Sequence, residues 1–440
     1  MFRGTPHPVL PAAGWARLGQ GLLTLWMLLA LPAAAQEPPE PPEAPAAVEP
    51  PEAPEPPEPP EAPPEKVSLE ELLQEEVTSA SVGSFGYRLR RYGITPYVHG
   101  VITADLWQWE RRHGNVPHHN TFELRDANLY FGADILDLIV PEVFLEFEPT
   151  FNSFEFNTGL RLRYAQLDLR LHKELLVLRA GLFLIPFGTY NTTTLPAFIS
   201  KLPERPTLFR EVIPSPWQEL GVQLTGTWEW APGRAFNYAL FATNGMEQFD
   251  VNNPLNPNDD AADEGGSIAF FTPSYVDIRN TSKSFGARLS AQLAEGLTLG
   301  ASGYTGTYTR DGGRRLNIFG LDANFIRGPL SLELEAAFAH QEITGGALEK
   351  WGYSAIGAYR FHAQAEAVLA VDEAEVDELP PPFDGQSFSV SGRSYWGGLL
   401  YFPFPNQIPT ALTKAIYRVT VPDGAQPAQH VFILQLAVGF

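Results

Sequence analysis

Charged side chains recur on one face of alternating runs along most of this 440-residue chain. The basic members are Arg161, Arg163, Arg170, Arg179, Arg288, Arg360, Lys414 and Arg418. The acidic members are Asp105, Asp126, Glu146, Glu148, Asp168, Glu219, Glu229, Asp322, Glu333, Glu335 and Glu366. A row of charges on one strand face needs water or counter-charges opposite it. Such a pattern fits a wet interior that passes polar solutes. The bases gather in 161–179 and several acids in 146–148 and 333–335, so walls of unlike charge and a transverse field favouring dipolar solutes are expected. For all eight to face inward, the pattern needs a bulge near Tyr164–Gln166, because Leu160 and Leu162 alternate out of step with Leu167, Leu169 and Leu171.

One segment could narrow that interior. Residues 187–216 carry Lys201, Glu204, Arg205, Arg210 and Glu211, and five prolines restrict them. Connections of this length in a compact fold are usually functional. The segment is expected to form a constriction edged by Arg205 and Arg210; the alternative is a surface loop with ordinary charges.

Other chemistries are weaker. There is no cysteine, which removes disulfides, thiol catalysis and Cys-ligated metal. His113, His118 and His119 share a polar stretch without a carboxylate at ligand spacing, so no metal site is expected. The stretch 246–282 holds Asp250, Asn252, Asn253, Asn256, Asn258, Asp259, Asp260, Asp263 and Glu264. These hard oxygen donors would suit Ca²⁺ or simply solvate an external loop; Asn-Pro steps interrupt any EF-hand spacing. His99, His340, His362 and His430 lie on or beside strands, but none sits in a nucleophile motif, so no catalytic residues are expected. The formal net charge of −21 argues against nucleic acid as a partner. No cofactor is implied.

The elements that must position these groups are strands. Val98, Gly100, Ile102, Ala104 and Leu106 share one face, with His99, Thr103 and Asp105 on the other. The same period of two runs through 284–293, 330–338 and 432–440. About sixteen such strands fit between 97 and 440, with tight turns near Lys173, Pro232-Gly233, Glu295-Gly296 and Gly328. Long connections at 110–122, 187–216, 246–282 and 374–392 fall at the opposite ends. Tight turns at one end, long loops at the other and an even strand number predict an all-β fold, a transmembrane antiparallel β-barrel over 95–440. Trp107, Trp109, Trp228, Trp230, Trp351, Tyr401 and Phe402 are expected in interfacial girdles.

The N-terminus reads differently. Arg3 and Arg17 precede the apolar run 22–31 and Ala33-Ala34-Ala35, a pattern of an export signal over 1–35. Residues 36–66 are rich in Pro and Glu and cannot form a core, so a disordered linker is expected. More than half of the net negative charge lies in 36–76, where thirteen glutamates accompany the single Lys66. A short helix and lead-in are expected over 67–94, with Ser68 as cap. The arm could act as a solvated spacer or tether the barrel to the cell wall through the periplasm.

Three stretches carry a family resemblance. They are Leu178 to Gly188 (LRAGLFLIPFG), Trp217 to Gly226 (WQELGVQLTG) and Tyr238 to Gly245 (YALFATNG). With Phe122-Glu123-Leu124-Arg125-Asp126 before them, they resemble, in order and spacing, the phosphate-selective porin O and P family. The resemblance covers about 95–250 and implies a sixteen-stranded, trimeric outer-membrane porin with inward loops. Two departures weaken phosphate as the solute: Leu184 and Asp126 stand where the family often has basic residues. The reading of the whole sequence is a bacterial outer-membrane porin for small hydrophilic solutes or ions. Its expected partners are outer-membrane lipid and lipopolysaccharide, further copies of itself as a homotrimer, and the barrel assembly machinery through Phe440.

Overall fold

The structure is a computed structural model that describes residues 93–110, 120–152, 155–193, 199–248, 271–273, 283–308, 313–343, 346–377, 391–406, 410–423 and 427–439. The export signal, the Pro/Glu arm, the lead-in helix, His113, His118, His119, the acidic stretch 250–264 and Phe440 lie outside the described residues.

Sixteen strands close into one antiparallel barrel. The first half is β1 (Ile94–Glu110), β2 (Asn120–Ile135), β3 (Ile139–Asn152), β4 (Glu155–His172), β5 (Leu176–Leu184), β6 (Gln218–Ala231) and β7 (Arg234–Thr243). Two short strands, β8 (Met246–Gln248) and β9 (Phe271–Pro273), pair only with each other. The barrel resumes with β10 (Ser284–Ala294), β11 (Leu297–Thr307), β12 (Arg315–Arg327), β13 (Leu330–Ile343) and β14 (Gly346–His362). It ends with β15 (Ala365–Val376), β16 (Gly392–Tyr401), β17 (Leu412–Pro422) and β18 (Gln429–Gly439). Strand β7 pairs directly with β10, and β1 pairs with β18 from Val101↔Gly439 to Glu110↔His430, which leaves no open edge.

The turns stand where the sequence places them. Gly233, Gly296 and Gly328 all have positive φ, and Lys173 joins them at +47°. At Gly296 a Cβ would lie 1.8 Å from the Ile326 carbonyl oxygen, so only glycine fits. The β2–β3 turn instead uses Leu136 and Asp137 at positive φ, with the Asp137 amide bonded to the Asp134 carboxylate.

Alternation sorts the side chains. Val98, Ile102, Leu129, Phe131, Leu240, Phe285, Leu289, Phe319, Leu321, Leu369, Leu399 and Leu436 are exposed on the outer face. Thr103, Asp105, Ser302, Asp322, Asp372 and Gln435 are buried on the inner face. An apolar outside and a polar inside invert the usual soluble arrangement and match a barrel whose backbone groups pair only with neighbouring strands. Trp228, Trp230 and Tyr401 are exposed at the tight-turn end, joined there by Tyr359, Phe361 and Phe404. Trp351 is on the outward face of β14; the side chains of Trp107 and Trp109 lie outside the described residues. Phe402 departs from the expectation: it is buried, and the Arg360 guanidinium lies 4.4 Å from its ring centre. It keeps the inward parity of Ser394, Trp396 and Leu400, so the alternation that turns Tyr401 outward turns Phe402 in.

The slip in leucine parity is resolved by a bulge at Arg163. The β3–β4 register shifts there, so Leu162 and Leu167 both face out, whereas Arg163 is buried inside. A second irregularity sits at Arg125 on β2, opposite Thr103 and Ala104. It turns the Arg125 guanidinium inward to Asp105 at 2.5 Å.

Candidate functional site

The connection from β5 to β6 folds inward, and the motif that opens it explains how. Phe183, Ile185 and Phe187 are all buried, so the strand continues apolar as it leaves the wall. Gly188 then takes φ +62°, and a Cβ there would lie 2.5 Å from Glu335 Oε2. Its amide donates to Ser302 Oγ at 3.0 Å. The short helix α1 (Tyr190–Thr193) follows. The Thr189 and Tyr190 amides both donate to Glu335 Oε1, the latter at 2.6 Å. Thr189 Oγ1 donates to Asp322 Oδ1 at 2.8 Å, and Arg288 holds both oxygens of Asp322 at 2.7 Å.

Asn191 fastens the base of the loop. Its Nδ2 donates to the carbonyls of Ile185 at 2.8 Å and Trp217 at 2.9 Å, while its Oδ1 accepts from the Trp217 amide at 2.8 Å. Both ends of the loop are thus tied through one buried side chain. The Trp217 indole donates to Glu219 at 2.7 Å, so the second half of the motif orients a wall carboxylate.

Beneath the loop lies an apolar layer. Phe187, Tyr190, Leu208, Phe209 and Ile213 pack with Tyr304, Leu316 and Ile318 of the wall. Tyr190 and Phe209 stack with ring centres 4.0 Å apart. Gly320 makes room for Phe187, whose Cε1 would lie 2.6 Å from a Cβ. Burying each large side chain contributes about 1.5–3 kcal/mol towards holding the loop inside. Burial pushes the Tyr190 phenol up to about 12.

The far side of the loop is pinned by charge. Lys201 Nζ meets Glu366 Oε1 at 2.5 Å, and Arg360 meets Glu366 Oε2 at 3.0 Å. Glu204 pairs with Arg418, whose guanidinium lies 4.9 Å from the Trp396 ring centre. Lys414 Nζ donates to the Leu202 carbonyl at 3.1 Å, and Gln435 Nε2 donates to the Pro203 carbonyl at 3.3 Å. The Thr207 amide donates to Asp372 Oδ1 at 2.6 Å, one residue before helix α2 (Leu208–Glu211). Helix α2 packs on β14 and β15. Glu211 is buried on it, and the wall opposite holds the fully buried Lys350 on β14. Arg205 donates to the Ser215 carbonyl within the loop. Arg205 and Arg210 are both half-buried.

The loop therefore covers the inner wall from β10 to β18. Arg288, Glu333 and Glu335 lie against it, with Glu333 lining a crevice beside Tyr190 and Phe209. The wall of β2 to β5 is more open to solvent. Arg179 pairs with Asp168 through two bonds of 2.7 and 2.8 Å, and Arg170 pairs with Asp134 at 2.8 Å. Glu146 and Arg161 stand opposite in the β3–β4 register and Glu148 stands opposite Gly159; the side chains of Glu146, Glu148, Arg161 and Asp126 lie outside the described residues. Among the described residues the inward charges stand in close pairs, on adjacent strands for Arg179–Asp168 and one strand further apart for Arg170–Asp134 and Arg288–Asp322. A strand-by-strand parity reading cannot see this, because the partner sits on another strand.

Several participants escaped the sequence reading. Glu142 shares strand parity with Glu146 and Glu148 and was legible on that ground. Asn191, Thr189 and Asp372 were not, since nothing local marks them. Two histidines have partners of their own: His340 Nδ1 lies 2.6 Å from Glu349, and His430 Nδ1 lies 2.7 Å from the Tyr417 hydroxyl.

No family model matches the chain. An uncharacterised protein of Aquifex aeolicus (strain VF5) is 27% identical over 203 residues, which is 45% of this chain and 42% of that protein. The match thus spans less than half the length of the curated relative. Among solved structures, the anion-selective porin from Comamonas acidovorans aligns with a TM-score of 0.54 at 11% identity, over 79% of this chain and all of that one. OmpF of Salmonella typhi, in complex with daunomycin, aligns at 0.53 with 13% identity, over 79% of this chain and 98% of that one. The outer membrane channel DcaP of Acinetobacter baumannii aligns at 0.52 with 11% identity, over the same shares. At these identities the likeness is one of fold: the chain has the sixteen-stranded barrel of bacterial outer-membrane porins.

Proposed function

We propose that this protein is an outer-membrane porin through which small hydrophilic solutes and ions diffuse passively. The carrying observation is the β5–β6 loop, tied at its base by Asn191 and pinned to β10–β18 inside a sixteen-stranded barrel. A barrel of this size leaves an aqueous lumen, and a loop held to one side narrows that lumen without filling it. The exposed apolar belt supplies the lipid-facing surface. The narrower reading is a preference for small anions, in which Arg205 and Arg210 act at the constriction beside Lys201, Glu204 and Glu211. The motif resemblance and the anion selectivity named for the Comamonas porin support it.

Single-channel recording in a planar bilayer tests both levels. A stable ohmic conductance is expected, with a reversal potential of anionic sign across a KCl gradient. Replacing Arg205 and Arg210 together by Ala should shift that potential towards zero or reverse it. An unchanged potential in the double variant defeats the assignment of these arginines. Absence of conductance from folded, heat-modifiable barrels defeats the open pore.

A further inference from the structure

The accessible wall opposite the loop has an order of its own. In the register of β1 to β4, His99, Tyr130, Phe144 and Tyr164 stand side by side. The Tyr130 and Tyr164 ring centres are 6.5 Å apart. The next row towards the tight turns is Tyr97, Gly132, Glu142, Gln166 and Gly181, on β1 to β5. Tyr97 reaches over Gly132, where a Cβ would lie 2.3 Å from its Cζ, and its hydroxyl donates to Glu142 Oε1 at 2.5 Å. Gln166 Nε2 donates to Glu142 Oε2 at 2.6 Å. Below these lie the Arg179–Asp168 and Arg170–Asp134 pairs.

These groups face water. Arg170 keeps 34% and Arg179 24% of their side-chain surface, whereas the loop-covered Lys414 keeps none. Each arginine is already matched by a carboxylate, so an entering anion meets Asp134, Glu142 and Asp168, and an entering cation meets Arg170 and Arg179. A simple ion of either sign is repelled by part of the row. An uncharged solute with many hydroxyls is not. A hydroxyl can donate to a carboxylate and accept from a neighbouring guanidinium, and both bonds are charge-assisted. Its C–H face can lie on a tyrosine ring.

We infer that the inner wall of β1–β5 is a binding track for uncharged polyhydroxylated solutes, sugars or short oligosaccharides, centred on Tyr97, Glu142, Gln166 and Tyr164. This deepens the porin reading and rests on it. The track retains the solute weakly, since exposed pairs and one ring face contribute little each, which suits passage rather than capture.

The test uses the full chain in a planar bilayer, with maltohexaose as probe and polyethylene glycol of similar size as control. Maltohexaose should give saturable, concentration-dependent blockades, scored against each variant's own open current, and the polymer should not. Glu142→Gln and Tyr97→Ala should each weaken the blockade about ten-fold, the effect of losing one charge-assisted bond or one stacking face. Tyr97→Phe keeps the ring and should fall between wild type and Tyr97→Ala, which separates recognition from a folding defect. Open channels without saturable maltohexaose block, or with block by spermine or phosphate alone, overturn the sugar track and leave the porin standing. Barrels without any conductance overturn both.

Discussion

Gly188 and Asn191 carry the geometry of the loop at the scale of single residues. A side chain at Gly188 must adopt a left-handed backbone, costing about 1–2 kcal/mol, and must also displace the Glu335 carboxylate. Gly188→Val should therefore loosen the entry to the loop. Trypsin should then cut the folded barrel at Lys201 or Arg210, where the wild type resists. Asn191→Ala strips three hydrogen bonds from the loop base and leaves the buried Trp217 amide unpaired, at about 1–3 kcal/mol, while the Ile185 and Trp217 carbonyls keep the Phe187 and Ile185 amides. Its expected signature is a noisier open current with the mean little changed. Full trypsin resistance in both variants would show that the apolar layer alone holds the loop. Gly188 was legible as part of the Pro-Phe-Gly stretch. Asn191 was not, because an asparagine after a turn is ordinary until its partners 6 and 26 residues away are known.

At the scale of elements, two kinds of interaction hold the inward loop. The first half of the loop packs by burial of Phe187, Tyr190 and Phe209; the stretch 201–207 is held by ion pairs and hydrogen bonds to Glu366, Arg418, Lys414 and Asp372. Arg418→Ala leaves Glu204 without its cation and should release the 201–207 side first, because breaking one member of a buried pair costs several kcal/mol. Trypsin cleavage at Lys201 should rise while the barrel stays heat-modifiable. Deleting 199–212 with a short glycine bridge should enlarge the single-channel conductance severalfold; no enlargement would show that the narrowest point lies elsewhere. The strands themselves were well marked. The bulge at Arg163 was foreseeable within a residue or so, because leucines on both sides kept strict alternation in opposite phase. The bulge at Arg125 announces itself less clearly, with Ala127 diluting the outward apolar row between Leu124 and Leu129.

For the molecule as a whole, the barrel should migrate as a compact band in detergent gels until heated, with its strand content unchanged by high salt. The ion pairs inside should matter for selectivity more than for stability, since most are partly exposed. Native mass measurement by light scattering is expected to give three copies per particle, and one copy would defeat the trimer. The strands, their inner and outer faces and the short and long ends of the barrel were legible in the residues themselves. All of these follow from a period of two and from turn residues, which are local properties of the backbone. Which wall the loop covers, which charges pair and which remain in contact with water emerged only in the closed barrel. Those outcomes rest on partners far apart in the chain: Thr189 with Asp322, Lys201 with Glu366, and Pro203 with Gln435 are separated by 133, 165 and 232 residues. Alternation tells each charge that it faces inward; only closure of the barrel sets what it faces.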